Sequence, residues 1–317
     1  MDSEGQERID KLKRKMSEEE KMVEQTDPAH YLFEIAKIYK EKKVYDTAVE
    51  KFKEVIEKTQ SFNTKMDSYF EICHIGLQLK DQKILTEYLG KCEQALKTGG
   101  DWEKKNRLKV YSGLNHLLNK NFKEAGKLFL EALMTFTSYE LFDFKTFVFY
   151  VAITNIITVD RQTLKQKIID NSDVLSCIND IPNLKEFLNT FYNGEYAEFF
   201  RYFYIICQRL KTDFYISKHL NYFMNEMRYK VYSQFLQSYK TVTMENMAAV
   251  FGVRVEFIDQ ELSNFISQGK LSAKIDKVSG IIECSQSDLT IDLYQSTLRD
   301  SDILLNKIHK LSKLLEV

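Results

Sequence analysis

Two prolines, Pro28 and Pro182, are all that interrupt 317 residues, and only eleven glycines accompany them. Proline breaks a helix by removing a donor and clashing with the preceding turn, and glycine weakens one through its backbone entropy. A chain so poor in both is expected to be mostly α-helical. Apolar residues make up 44% of it, which allows a sizeable core. The length suits about two domains.

Charged residues make up 29%, with a formal net charge of −1. That balance removes the bulk attraction to phosphate backbones that a basic protein has. The five cysteines, Cys73, Cys92, Cys177, Cys207 and Cys284, form no CxxC pair. Free thiols in a reducing compartment are expected, not a disulfide framework. The first residues, MDSEGQERIDKLKRKMSEEE, lack the apolar core of a secretory signal. The longest apolar run, FVFYVAITNIITV (147–159), is too short to span a bilayer and reads as a buried helix. We expect a soluble intracellular protein that contacts no membrane.

Residues 1–27 hold nine acids and six bases and read as a solvated helix or flexible arm. Asp27-Pro28 is then a helix start, with Asp as N-cap and Pro at the first position. Helical repeats are expected over 28–180. In the first, Leu32, Ile35, Ala36, Tyr39, Ala48 and Phe52 fall at tetratricopeptide spacing. A weaker copy lies around Gly76 and Ala95, and a third uses Gly113, Ala125, Phe129 and Ala132. The small positions Ala36, Gly76 and Gly113 are 40 and 37 residues apart (76 − 36 and 113 − 76). Such loose spacing predicts degenerate repeats stacked as a solenoid, although His116 stands where Tyr is expected. Further on, Pro182 is expected to open a helix. The stretch YAEFFRYFYIICQRL (196–210) is nearly apolar all round and reads as a helix buried between neighbours.

A second region is expected over 181–286, ending in a winged helix at 241–286. Thr243 caps a short helix over MENMAAVF, and Gly252 supplies the turn. The next helix, 254–268, carries Val255, Ile258, Leu262 and Phe265 on one face. LSAKIDKV then alternates, with Leu271, Ala273 and Ile275 on one side. Ser279-Gly280 reads as a two-residue turn into IIECS. In DNA-binding versions of this module the second helix offers basic and amide side chains to the groove. Here that helix carries Arg254, Glu256, Asp259 and Glu261, and residues 243–285 hold four bases against six acids. Sequence-specific DNA binding is therefore not expected. The open strand edge of a wing suits a protein partner instead.

The last segment, 287–317, reads as one helix over 288–315. Leu304, Ile308, Leu311 and Leu315 repeat at steps of 4, 3 and 4, a short a/d seam. It either folds back on its own domain or packs on helices of other chains, and we favour the second.

A tetratricopeptide-like solenoid, then a winged helix, then a terminal helix resembles the PCI-domain family. These are scaffold subunits of the proteasome lid, the COP9 signalosome and a translation initiation complex. Four runs carry a closer resemblance to lid members: GGDWEKKNRLKVYSGL (99–114), TFTSYELFDFKTFV (135–148), FGVRVEFIDQELSNFISQGKLSAKIDKV (251–278) and LLNKIHKLSKLLEV (304–317). The resemblance extends over roughly 30–317, and the chain is expected to be shorter at its front than family members usually are. It implies a non-catalytic, hetero-oligomeric subunit of the proteasome regulatory particle, cytoplasmic and nuclear, supporting degradation of ubiquitinated proteins. The implied partners are other PCI and MPN-domain lid subunits, the base and the core particle. Implied contacts run through wing strands 271–278 and 281–285, with Leu271, Ala273, Ile275, Val278, Ile281 and Ile282. A C-terminal bundle would take Leu304, Ile308, Leu311 and Leu315. A signalosome subunit is the alternative within the family, and a nucleic-acid-binding regulator the alternative outside it.

No catalytic or cofactor constellation stands out. The five histidines form neither HxH nor HExxH, and no GxxxxGK[ST] or GxGxxG occurs. Cys73-His74 are helix neighbours pointing to different faces. Gly99-Gly100 before Asp101 reads as a helix–helix turn, Trp102 as packing at a repeat junction, and Glu18–Glu20 as a solvated charge run. We expect no enzyme, metal or cofactor.

Overall fold

A computed structural model describes residues 9–12, 14, 28–99, 101–284 and 289–315. Of the expected N-terminal arm only 9–12 and 14 are described; they are helical, with Ile9 buried. The rest of the arm, including Glu18–Glu20, lies outside the described residues. The chain is mostly helical, as its shortage of breakers predicts. It divides into two compact units. One holds the described residues up to Asn189 together with Ile205–Tyr222; the other holds Thr190–Tyr204 and the described residues from Phe223 onward. The chain thus enters the second unit twice.

The first unit opens with three helix pairs: α1 (Pro28–Glu41) with α2 (Tyr45–Lys58), α3 (Phe62–Leu79) with α4 (Gln82–Thr98), and α5 (Trp102–Leu118) with α6 (Phe122–Ala132). Each pair also packs on the next, and α1, α3 and α5 follow one another, so this is a solenoid arrangement. The small positions have a steric cause. A Cβ on Gly113 would meet Phe129 Cε1 at 2.4 Å, and one on Gly76 would meet Leu85 Cγ at 3.1 Å. Ala36, at the matching place, is fully buried.

The turn inside each pair is built the same way. Lys43, Lys80 and Lys120 adopt left-handed backbone, with φ of 59°, 55° and 67°. Each donates its N–H to the carbonyl three residues back, on Lys40, Leu77 and Leu117. The following residue donates to the carbonyl five back, on Tyr39, Gly76 and His116. This is the Schellman ending, here with lysine where glycine is usual.

Next comes α7 (Phe144–Thr158), buried on every side from Phe147 to Asn155 and Ile156, as its apolar run predicts. Phe136 stacks on Phe147 at 4.5 Å, and Phe129 meets Phe147 edge-on at 5.6 Å. After α7 run α8 (Arg161–Leu164), a π-helical turn at Lys165–Ile169, α9 (Ser172–Ile178) and α10 (Leu184–Asn193). Pro182 precedes α10 by two residues and does not open it. Trp102 does not pack at a junction: it is 61% exposed at the first position of α5.

Helix α11 (Tyr196–Thr212) departs from expectation. Tyr196, Phe199, Phe203, Ile206, Cys207 and Leu210 are buried, but Tyr204 and Ile205 are exposed, so it has one buried stripe. Aromatics with a polar tip tolerate the outer face, and composition alone does not reveal that. In the second unit the core gathers on Phe251. Tyr196 stacks on it at 4.8 Å, while Tyr232 and Phe235 of α12 (Leu220–Leu236) meet it edge-on at 5.2 and 5.3 Å.

The winged helix follows as β1 (Thr241–Thr243), α13 (Met244–Phe251), α14 (Val255–Ser267), β2 (Ala273–Asp276) and β3 (Ile281–Cys284). Thr243 Oγ1 accepts from Asn246 N, and Gly252 ends α13 at φ 65°, both as predicted. Ile258, Leu262 and Phe265 are buried, with Val255 half-buried at the margin. The strand order is β1-β3-β2, all antiparallel. Strand β1 was not foreseen, being three residues long and lacking a clear alternation. The final helix, α15, spans Leu289–Leu315.

Candidate subunit-interaction surfaces

Three surfaces of the second unit follow from this geometry. The first is the sheet edge. Because β1 pairs with β3, the strand 281–284 is central, and Ile282 is fully buried. Ile281 and Ile282 therefore sit on a strand with both edges taken inside the chain. This corrects the expectation that β3 offers itself to a neighbour; the outer edges belong to β1 and β2. Cys284 N donates to Lys240 O, and Met244 N donates to Gly280 O. So Cys284 and Ile282 direct their backbone polar groups toward β1, and the intervening Ile281 and Glu283 direct theirs toward β2. Through the pairs Lys274↔Glu283 and Asp276↔Ile281, the inward-bonding residues of β2 are Lys274 and Asp276. Ala273 and Ile275 turn their N–H and C=O outward.

The second surface is the wing tip. Leu271 lies ahead of β2, and Val278 lies in the loop between β2 and β3, so neither is a strand residue. The loop is four residues, 277–280, longer than the two-residue turn expected. The Asp276 carboxylate organises it, accepting from Val278 N at 2.9 Å and Ser279 Oγ at 2.6 Å. The Ser279 hydroxyl and the two backbone N–H groups hold the Asp276 carboxyl below its ordinary range. Gly280 closes the loop at φ 67°. Val278 projects from the tip at 99% exposure.

The third surface is α15. Every described side chain from 293 to 312 is exposed. At about 100° per residue, Leu293, Leu304, Ile308 and Leu311 fall within an arc of about 60°, with Tyr294, Leu298 and Leu305 beside them. This face is broader than the expected seam; the 11-residue step from Leu293 to Leu304, three helical turns, could have revealed its front half. The side chain of Leu315 lies outside the described residues. Two hydroxyls interrupt the face, and both turn onto the helix itself. Thr297 Oγ1 donates to Leu293 O at 2.7 Å, and Ser301 Oγ to Thr297 O at 2.8 Å. Their polarity is already satisfied, so covering them strands no donor.

The charges of α14 differ from their sequence tally. Glu261 Oε2 pairs with Arg228 Nε at 2.8 Å, and Asp259 Oδ2 with Lys277 Nζ at 3.1 Å. Two of its three acids are thus neutralised inside the unit, and the outer face is milder than the −2 count implied. Beside the first pair, burial and the Glu261 charge raise the Tyr232 phenol well above its ordinary range.

Among the described residues no group of three or more His, Cys, Asp or Glu could hold a metal ion. No helix among them is long and apolar enough to cross a membrane. Cys73 is fully buried beside Cys92, and a hydrogen bond to Cys92 together with burial raises its thiol above the ordinary range. His74 turns instead to Lys40 and Gln78.

An arm of helical repeats carrying a winged helix with a free edge defines a PCI-domain protein, and the PCI domain description matches residues 187–286. The description "26S proteasome subunit RPN7" matches residues 1–167, and the chain belongs to that family. It is 45% identical to the 26S proteasome non-ATPase regulatory subunit 6 of Oryza sativa subsp. japonica over 272 residues, 86% of this chain and 70% of the relative. Identity to the subunit of that name in Caenorhabditis elegans is 34% over 323 residues, 99% of this chain and 78% of the relative. COP9 signalosome complex subunit 1 of Arabidopsis thaliana is 26% identical over 227 residues, 71% of this chain and 51% of the relative.

Proposed function

We propose that this chain is a non-catalytic scaffold subunit of the regulatory-particle lid of the 26S proteasome. It serves degradation of ubiquitinated proteins by joining PCI and MPN-domain neighbours, and through them the base and core particle, in cytoplasm and nucleus. The observation that carries the reading is α15. A 27-residue helix with an exposed apolar face and self-satisfied hydroxyls suits burial against helices of other chains. The outward N–H groups of Ala273 and Ile275 suit a neighbour's backbone, so the wing contributes through β2. Identity to regulatory subunits well above that to the signalosome subunit favours the lid within the family.

The test is purification of the tagged chain from its own cells, with mass spectrometry and a peptidase assay. Co-purification with proteasome peptidases and ATPases is the expected result. Recovery with cullin-modifying machinery would keep the PCI reading and move it to the signalosome. Recovery with chromatin, or tight duplex DNA binding at low salt, would reopen the nucleic-acid reading. The double variant Ile308→Asp/Leu311→Asp should stay folded and fail to enter the complex. Normal entry would remove α15 from the assembly surface.

A further inference from the structure

The three turns inside the helix pairs share one backbone geometry, yet only two have their lysines occupied. Lys80 Nζ lies 3.8 Å from the Phe214 ring centroid and donates to Phe214 O at 2.6 Å. Lys120 Nζ lies 4.2 Å from the Tyr222 ring centroid, and Phe122 packs on the same ring at 5.6 Å. Leu118 O, in the same turn, faces His219 Nε2 at 2.8 Å. The segment Phe214–Tyr222 thus docks along the second and third turns, giving each lysine an aromatic ring. All of this lies within the first unit.

At the first turn the lysine is presented identically, since Lys43 shares the left-handed φ and both backbone hydrogen bonds. Among the described residues no ring covers it. A cavity of about 310 Å³ opens there, lined by Lys37, Lys40, Glu41, Lys43, Tyr45, Glu71 and Gln78. Glu71 is already engaged by Lys40 at 2.5 Å. A lysine in left-handed backbone carries a strain that glycine would avoid. At the other two turns the side chain is used, by a cation over a ring.

We propose that the first turn is a third copy of this seat, filled by an aromatic side chain from a turn or helix end of another subunit. The two filled seats set the chemistry of the occupant. The chain's own segment fills the equivalent seats, with a ring under each lysine and a backbone carbonyl on Lys80. The first seat keeps the cation and adds an open cavity with Tyr45 at its side. Lys37 and Lys40 are paired with Glu34 and Glu71, and Glu41 also lines the cavity. Among the described residues Lys43 is thus the lining lysine without an ion pair, available to a ring face and a carbonyl oxygen. This inference rests on the reading of the chain as a subunit of a larger complex.

The experiment uses the full chain, free and in the complex purified from its own cells. Backbone amides of 41–46 should exchange about tenfold more slowly in the complex than in the free chain. A photo-reactive phenylalanine derivative at Tyr45 should cross-link to a peptide of another subunit containing Phe, Tyr or Trp. Lys43→Gly relieves the left-handed strain, so the free chain should melt no lower than wild type, while slow exchange and cross-link are lost. Lys43→Arg, which keeps a cation, should retain both. Equal exchange in free and assembled chains overturns the proposal, as does a cross-link only to this chain or to a second copy of it. Unchanged protection in Lys43→Gly overturns it too. If the chain purifies alone, the functional reading falls and this one with it. If it enters the complex with the first turn still open, this one falls alone.

Discussion

Helices α7 and α15 are both rich in apolar residues and meet opposite fates. From Phe147 to Ile156 no side chain of α7 reaches solvent appreciably, whereas every described side chain of α15 from 293 to 312 does. Both contain polar residues, and in both some side-chain donors turn back onto their own helix. In α7, Thr154 Oγ1 donates to Tyr150 O at 2.8 Å and Asn155 Nδ2 to Val151 O at 2.8 Å. In α15, Thr297 and Ser301 bond four residues back. Turning a side chain onto its own helix prepares it for a place without water. In α7 that place exists within the chain; in α15 the described residues leave the face bare.

The comparison breaks most easily through stability. Phe147→Ala removes a buried ring that Phe129 and Phe136 both touch. It should destabilise the chain by about 3–5 kcal/mol in chemical denaturation. The Ile308→Asp/Leu311→Asp variant should cost within about 0.5 kcal/mol in the free chain, because those side chains are already wet. A large loss on α15 would mean that the helix is covered by its own chain after all.

A smaller effect sharpens the picture inside the arm, where a polar residue is held by a charge instead of by its own helix. Lys40 Nζ stands 2.5 Å from His74 Nδ1. An ammonium can only donate, so Nδ1 accepts and the ring proton sits on Nε2, which can donate to the neighbouring Gln78 side chain only through that amide's oxygen. Burial first, then the Lys40 charge, lowers the imidazole below its ordinary range, with Arg107 acting the same way and Glu71 and Glu140 opposing. The folded state therefore resists a proton that the unfolded chain accepts. Stability is fully present above the ordinary imidazole range and falls as acidification passes through that range toward the buried value. His74→Gln should flatten this part of the profile between about pH 7 and pH 5. An unchanged profile would assign the acid loss to other groups.

How much of this was legible depended on how local each cause is. The small positions Ala36, Gly76 and Gly113, the Thr243 cap, the Gly252 turn and the buried face of α14 were readable because each answers to neighbours a few residues away. The exposure of Trp102 and Tyr204 was not, because burial depends on elements far along the chain. The Arg228–Glu261 pair joins α12 to α14 across 33 residues (261 − 228), so a charge count over one helix misjudged its outer face. The sheet order was missed for one short strand: without β1, β3 looks like an edge.

A single substitution of modest cost makes the sharpest test of that edge, an element closed on one side and open on the other. Ile275 directs its N–H away from β3, so Ile275→Pro removes no hydrogen bond of the β2–β3 ladder. Proline also suits an edge position, and its fixed φ of about −65° asks only a modest twist of the strand. The half-buried side chain loses some packing against its cross-strand partner Ile282, so a cost of about 1 kcal/mol is expected. Lys274→Pro, one residue earlier, removes an inward donor and should release the hairpin, seen as fast exchange at Ile281 and Glu283. If β2 is the edge that receives a neighbour, Ile275→Pro should leave those amides protected in the free chain and weaken incorporation into the complex. Loss of the hairpin in Ile275→Pro would show the register to be shifted by one. A protected hairpin with wild-type incorporation would move the wing's contact to β1 or to the Val278 tip and leave α15 as the principal joint.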